Sequence, residues 1–281
     1  MTEAIEPLDR SAVRQHFSVA ASTFNSAAVL HQRVATELVD RLQFVRLSPA
    51  TVLDLGCATG FCTALMTERY PQARFTGLDL CHAMLVQHPE RDTDRVTGDA
   101  EALPLFDRSF NLVVSNLLLP WCQPLDLFSE VCRILQPGGV FAFSSFGPDT
   151  LKELRAAWST VDDLPHVHAF HDMHILGDML LSAGFAEPVV DSEILTLTYN
   201  SLGALSADLR ATGGCNALAA RRRTLTGKHR AKGLKAAYET FRGADGRLPS
   251  TWEVVYGVAW RPERAVSGVS DGIGVPVRLG D

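Results

Sequence analysis

Thr51-Val52-Leu53-Asp54-Leu55-Gly56-Cys57-Ala58-Thr59-Gly60 is the stretch of this 281-residue chain that decides its fold. A short apolar run ends in an acid and a glycine, and a helical stretch follows from about Phe61 to Arg69, stopped by Pro71. Gly56 and Gly60 let the backbone approach a ligand closely and adopt angles that other residues avoid. The helix beyond them offers unpaired N–H groups to a carboxylate. A dinucleotide loop would read GxGxxG, a spacing this run lacks. Taken alone, the run also suits a tight strand–helix turn that binds nothing.

Outward from this loop the chain alternates strand and helix. Arg74 to Asp79 reads as a second strand ending in an acid, His82 to His88 as a helix, and Asp94 to Val96 as a third strand. Phe110 to Ser115 is a fourth strand, Leu125 to Leu135 an amphipathic helix, and Pro137-Gly138-Gly139 a turn into a fifth strand, Val140 to Ser145. Such alternation implies an α/β fold, a parallel sheet covered by helices on both faces. Its binding site then lies at the carboxyl ends of the strands. A ligand there would meet Asp54, Gly56, Ala58 and Gly60 at the first station, Asp79, Leu80 and Met84 at the second, Asp99 and Ala100 at the third, and Asn116 at the fourth. Asp79 can accept both hydrogen bonds of a ribose diol, and Asp99 can accept from an adenine amino group while apolar neighbours pack on the ring. Asp79 by itself is also what a surface acid or helix cap looks like; the ordered set of stations is the signal.

The remaining segments frame this core. Residues 1–45 are expected to form a helical lid, two helices over 9–43, with Val29, Val34, Leu38 and Leu42 at helical spacing. The core spans 46–200, and 201–250 reads as an all-helical insertion. Residues 251–281 carry the last core strand and a Gly- and Val-rich tail, expected from 261 to be partly disordered or to add a strand. Ile194 to Tyr199 and Glu253 to Trp260 alternate and are expected to pair antiparallel at the sheet edge.

Bulk composition bounds the function. Hydrophobic residues make up 46% and charged residues 21%, enough apolar surface for a full core. No apolar stretch approaches the roughly 20 residues of a membrane span, and Glu3, Glu6 and Asp9 exclude a secretion signal. The net charge of −6 argues against general nucleic-acid binding. Cys57, Cys62, Cys81, Cys122, Cys132 and Cys215 contain no CxxC pair and read as reduced thiols of a cytoplasmic protein, with no metal site. His166, His168 and His171 read as a loop rather than a catalytic or metal cluster. From Leu209 to Tyr238, however, there are eight Lys or Arg residues and no Asp or Glu, which suggests an acidic partner on that face; a solvated helix surface is the plainer alternative.

Over residues 50–146 the order Asp-x-Gly-x-x-x-Gly, Leu-Asp, Gly-Asp-Ala-Glu-x-Leu-Pro, Phe-Asn-Leu-Val-Val-Ser-Asn-Leu and Leu-x-Pro-Gly-Gly resembles the class I, Rossmann-like methyltransferases. More narrowly, residues 10–260 resemble the biotin-pathway malonyl-carrier-protein O-methyltransferases. That likeness rests on Asn116 to Cys122, Phe146 to Leu154, Asp208 to Gly213 with Asn216, Arg221 to Gly227, and Leu248 to Gly257. It implies S-adenosyl-L-methionine as cofactor and methylation of the free carboxylate of a malonyl thioester, on an acidic acyl carrier protein or on coenzyme A. It marks Arg210 as the basic residue that would hold that carboxylate, and the run Arg221, Arg222, Arg223, Lys228 and Arg230 as the carrier-docking face. A carboxylate is already anionic at neutral pH, so no general base is expected, only orientation and partial desolvation.

Two positions depart from the family pattern. Ala58 stands where most relatives have glycine; a positive φ there would cost about 1 kcal/mol or more. Phe24, in the lid, stands where relatives carry a tyrosine followed by an aspartate, and losing that hydroxyl bond costs about 0.5–1.5 kcal/mol. Two other readings therefore stay open: a superfamily member with another acceptor, such as a ring carbon, and a cofactor-binding assembly factor that transfers no methyl.

Overall fold

The computed structural model describes residues 6–89 and 93–263. β1 (Thr51–Leu55) lies at the centre of the sheet because Val52, Leu53 and Leu55 bury apolar side chains on both faces. It pairs in parallel with β2 (Arg74–Asp79) on one side and β4 (Phe110–Asn116) on the other. β3 (Asp94–Thr97) extends the sheet beyond β2, and β5 (Leu135–Phe146) extends it beyond β4, both in parallel. β6 (Ala186–Tyr199) and β7 (Leu248–Trp260) form the expected antiparallel pair at the edge, with Glu253 opposite Ile194. β7 lies inside, antiparallel to β5 as well, so the seven strands run in the order β3-β2-β1-β4-β5-β7-β6. Both strands of the pair extend further toward the chain start than their alternation indicated.

Helices cover both faces. α1 (Arg10–Ala20), the short α2 (Phe24–Ala27) and α3 (Val29–Arg41) precede β1; α4 (Phe61–Arg69) follows it and α5 (His82–Val86) follows β2. α6 (Pro124–Ile134), α7 (Lys152–Ser159) and α8 (Met173–Ser182) flank β5 and lead to β6, while α9 (Leu202–Ala211) and α10 (Lys228–Glu239) lie between β6 and β7. The strands alternate their side chains between two cores. Val52, Val114 and Ala142 join Leu38, Met66 and Tyr238 on one face; Leu53, Val113, Phe141 and Phe143 join Phe128 and Leu180 on the other. On α3 the buried stripe is Leu30, Val34 and Leu38, continued by Leu42, while Val29 is exposed.

Three local expectations need correction. Pro137-Gly138-Gly139 is not a turn between elements but a bulge within β5: Leu135 pairs with Phe110 and Val140 with Leu112, so the extra residues loop out of register. The insertion is not all helix, because residues 212–227 between α9 and α10 form no helix and carry the Gly213-Gly214 pair. The lid has a third, one-turn helix, α2. The tail expected to be disordered or stranded lies, from residue 264 onward, outside the described residues.

The lid and the insertion interlock. Leu8 bridges Leu218, Asp9 N–H donates to Ala217 O at 2.8 Å, and Ala219 N–H donates to Pro7 O at 2.8 Å. Thr23 Oγ1 donates to Ala211 O at 2.9 Å. Together they roof the carboxyl ends of β1, β2 and β4.

Candidate active site

The site is built by the loop after β1. Gly56, Ala58 and Gly60 have φ of +74°, +46° and +86°, a folded path that turns successive N–H groups inward. Gly56 and Cys57 N–H both donate to Leu78 O, tying the loop to β2. Ala58 N–H donates to Asp79 Oδ2 at 3.0 Å, and Cys81 N–H donates to Asp79 Oδ1 at 2.7 Å. Asp79 is thereby locked at the end of β2 with free lone pairs on both oxygens. Burial still raises its pKa to about 6, against those two donors. At Gly56 any Cβ would sit 2.9–3.0 Å from the Leu118 side chain, so the close approach of backbone to wall requires glycine.

Asp54 lies beneath the loop, 1% exposed. Its Oδ2 accepts from Thr63 Oγ1 at 2.6 Å, and Thr63 in turn contacts His88 Nε2 at 3.2 Å. Since the Thr63 hydroxyl gives its proton to Asp54, His88 is the donor in that contact. Asp54 Oδ1 has no hydrogen-bond partner among the described residues, and burial raises the carboxyl pKa to about 7. A buried oxygen left unpaired is costly, and a cation placed above it would relieve that cost.

Two spaces adjoin this loop, and a third adjoins the first of them at His31 and Trp121. A cleft of about 720 Å³ lies between the lid residues Arg10, Phe17 and Phe24 and the floor of Ala58, Asp79 and Leu80, with Ala100, Asn116, Leu118 and Trp121 along it. Behind the loop, about 410 Å³ is bounded by Asp54, Thr59, Asn25 and Gln32. Asn25 Oδ1 accepts from the Thr59 hydroxyl and so fastens the lid to the loop. The third space, about 940 Å³, is an apolar chamber of Phe146, Leu154, Phe170, Leu209 and Trp252. Arg210 borders this chamber, is exposed, and makes no ion pair among the described residues.

The structure thus brings Asp54, Gly56, Ala58, Asp79, Leu80, Ala100, Asn116 and Phe24 to the walls of adjoining spaces. Three expected contacts lie elsewhere. Gly60 caps α4 and packs on His88, where a Cβ would fall 2.5 Å from Nε2. Met84 is fully buried in a small core with Ala20, Phe24 and Cys81. Asp99 is not on the cleft wall: its Oδ1 accepts from Glu101 N–H at 3.0 Å and is paired with Arg10 of the lid, which also pairs with Glu101. The acid that the sequence reading assigned to the ligand is engaged here through Oδ1 by a cation of α1. Asn116 does reach the cleft, held by Ser144 Oγ at 2.8 Å and donating to His31 O at 3.0 Å.

The expected docking face is likewise divided. Arg221 donates to Asp9 Oδ2 at 2.9 Å and to Leu218 O at 2.9 Å, and Arg223 lies 3.6 Å from Asp9, so these two fasten the insertion to the lid. Arg230 is paired with Asp162 at 3.3 Å. Arg222 bonds Thr224 Oγ1. Lys228 is exposed at the start of α10, alongside Lys232 and Lys235 and next to Leu225, which is 94% exposed. In the histidine loop His166 stacks on Trp158 with centroids 3.5 Å apart and bonds Asp162 at 2.7 Å, and His168 Nε2 accepts from Ala217 N–H at 3.1 Å. Among the described residues no group of His, Cys, Asp or Glu is placed to hold a metal. All six cysteines are free.

Sequence reasoning missed His31 of α3, Arg10, Thr63 and His88. His31 stands seven residues after Phe24, on the same side of the lid, and its ring meets Phe24 edge-on at 5.2 Å; that spacing was the available signal.

This strand order, with β7 reversed and an acid at the end of β2 facing a glycine loop after β1, defines a class I S-adenosylmethionine-dependent methyltransferase. The methyltransferase domain family matches residues 53–143. A putative methyltransferase of Bacillus halodurans shares the fold with TM-score 0.59 at 17% identity, covering 81% of this chain and 99% of that one. The [4+2]-cyclase SpnF does so with TM-score 0.59 at 18% identity, covering 92% and 99%. The chain belongs to the malonyl-[acyl-carrier protein] O-methyltransferase family: it is 44% identical over 277 residues to the protein of that name from Nitrosospira multiformis, covering 91% of this chain and 90% of that protein.

Proposed function

We propose that this chain transfers the methyl group of S-adenosylmethionine to the free carboxylate of a malonyl group held as a thioester on an acyl carrier protein. The observation that carries this reading is the apolar chamber with Arg210 on its wall, opening beside the cleft at Trp121 and His31. An apolar chamber suits an acyl thioester, and one unpaired cation suits its single charge. The family relatives that cover nine-tenths of the chain carry the same activity in their name.

The residues fit the cofactor. Asp79 would hold the ribose diol, Leu80, Ala100 and Leu118 the adenine, and the unpaired Asp54 Oδ1 the α-ammonium with Thr59 and Gln32 nearby. The cofactor supplies an electrophilic methyl on a sulfonium. The chain supplies position: Arg210 orients the acceptor carboxylate, and the lid helices exclude water that would otherwise solvate it. A carboxylate oxygen forms the new O–C bond as the C–S bond breaks and leaves its electron pair on sulfur; no proton moves. The exposed Lys228, Lys232 and Lys235 face of α10, beside Leu225, would receive the acidic carrier protein. The free thiols suit a cytoplasmic setting, and no helix among the described residues is long and apolar enough to cross a membrane.

Ala58, at φ +46°, and Phe24, with no hydroxyl, favour a second reading, a protein that binds the cofactor and transfers nothing. Labelled S-adenosylmethionine incubated with malonyl–carrier protein separates the two. A base-labile methyl ester is the expected product; cofactor binding with no ester overturns the transfer reading.

A further inference from the structure

The cleft and the space behind the loop share Phe24, Gly56, Ala58, Asn116 and His31; the cleft and the acceptor chamber share Trp121 and His31. Among the described residues His31 alone borders all three. The nucleoside and amino-acid arms of the cofactor join at its sulfonium sulfur, and the acceptor approaches the methyl carried there, so the side chain common to the three spaces marks where that methyl sits. Arg210 borders only the chamber, and Trp121 is held as a wall between Phe17 and His168, edge-on to both at 5.1 and 5.0 Å.

The ring of His31 has one usable edge. Nδ1 is shut from solvent and has no hydrogen-bond partner among the described residues. An unpaired buried N–H costs more than an unpaired lone pair, so the neutral tautomer carries its proton on Nε2. Burial keeps the ring neutral, with its pKa pushed down to about 4.

We propose that His31 is a substrate-binding residue: its Nε2–H donates a hydrogen bond to the acceptor carboxylate at the point of methyl transfer, a role that rests on the acceptor reading above. A neutral donor replaces one lost water contact without cancelling the negative charge that makes the oxygen a nucleophile, which a second cation beside Arg210 would do.

The test compares His31→Phe, which keeps a ring without a donor, and His31→Gln, which keeps a donor without the ring. Cofactor affinity comes from calorimetric titration and kcat from ester formation on malonyl–carrier protein. Because His31 also borders the cofactor spaces, cofactor affinity is expected to change by no more than a few-fold, far less than kcat, and measurable binding also reports that both variants fold. The kcat is expected to drop roughly ten- to a hundredfold in H31F, with most of it restored in H31Q. Full kcat in H31F, an H31Q as slow as H31F, or a loss of cofactor affinity matching the loss of kcat each overturns the role of His31 and leaves the acceptor reading standing. A wild-type protein that binds cofactor and forms no ester overturns the acceptor reading and this inference with it.

Discussion

Ala58 holds a backbone angle that L-residues avoid because its N–H must reach Asp79. Ala58→Gly removes a left-handed cost of about 1–2 kcal/mol and adds back part of it as unfolded-chain entropy, for a net gain within about 1 kcal/mol. Calorimetry should show a slightly higher melting temperature and cofactor affinity at least equal to wild type. Ala58→Val, β-branched at the same angle, should lose affinity instead. Asp54 makes the second residue-scale prediction, with a sign that can be worked out. Its folded pKa, about 7, lies above the ordinary aspartate value. The ligand-free folded protein therefore keeps a proton that the unfolded chain gives up, so stability is greatest below the ordinary value and declines as pH rises toward about 7. Melting temperature without cofactor should fall across that window, and less steeply in Asp54→Asn. Binding the cationic ammonium favours the ionised form, so titration of wild type near pH 6.5 should release protons, judged from heats in buffers of differing ionisation enthalpy; D54N should release fewer, with Asp79 accounting for the remainder.

At the scale of elements, the lid is a set of helices fastened at both ends. Arg10 latches α1 to Asp99 and Glu101, a half-exposed pair of the kind worth up to about 1 kcal/mol. Arg10→Ala should weaken cofactor binding by no more than about fivefold and raise amide exchange across α1, with the difference shrinking in high salt. The basic stretch divides in two: Arg221 and Arg223 meet Asp9, whereas Lys228, Lys232 and Lys235 are exposed on α10 and make no ion pair among the described residues. Reversing those three lysines to Glu should raise KM for malonyl–carrier protein and leave a small malonyl thioester unaffected; equal losses would refute docking there. Reversing Arg221 would confound that test, because it also unfastens the lid. This division was not legible in the sequence, where eight cations with no acid between them look like one face. Their partners, Asp9 and Asp162, are remote in the chain. The Arg10–Asp99 pair was hidden for the same reason, since its two residues lie 89 positions apart.

Across the whole molecule, what was legible followed from short-range physics. Val52, Leu53 and Leu55 are apolar on both faces because β1 is buried on both, and Gly56 and Gly60 mark a turn whose positive φ angles favour glycine. The strand ends at Asp79 and Asn116 were readable because acid or amide after an apolar run has few structural reasons to be there. The helices of the lid were readable too, but not which side chain of theirs faced the ligand: His31 is one polar residue on an amphipathic helix, and only three converging spaces single it out. The bulge in β5 was hidden because Pro-Gly-Gly reads as a turn until a neighbouring strand shows the register on both sides of it. β6, by contrast, was legible only over its last residues, where alternation is clean.

The position of β7 bears on how the protein comes to exist. It is the last of the seven strands to leave the ribosome, yet it belongs between two that precede it. Until it arrives, β5 and β6 each present an open edge, and twelve register pairs of β6 wait for a partner. A chain ending at residue 247 should consequently associate through those edges and scatter light, rather than persist as a smaller folded monomer. The roof of the cleft is made in the same interval, since the segment that receives the lid emerges with the insertion just before β7. Seam and roof are thus both completed by the last quarter of the described chain, residues 201–260.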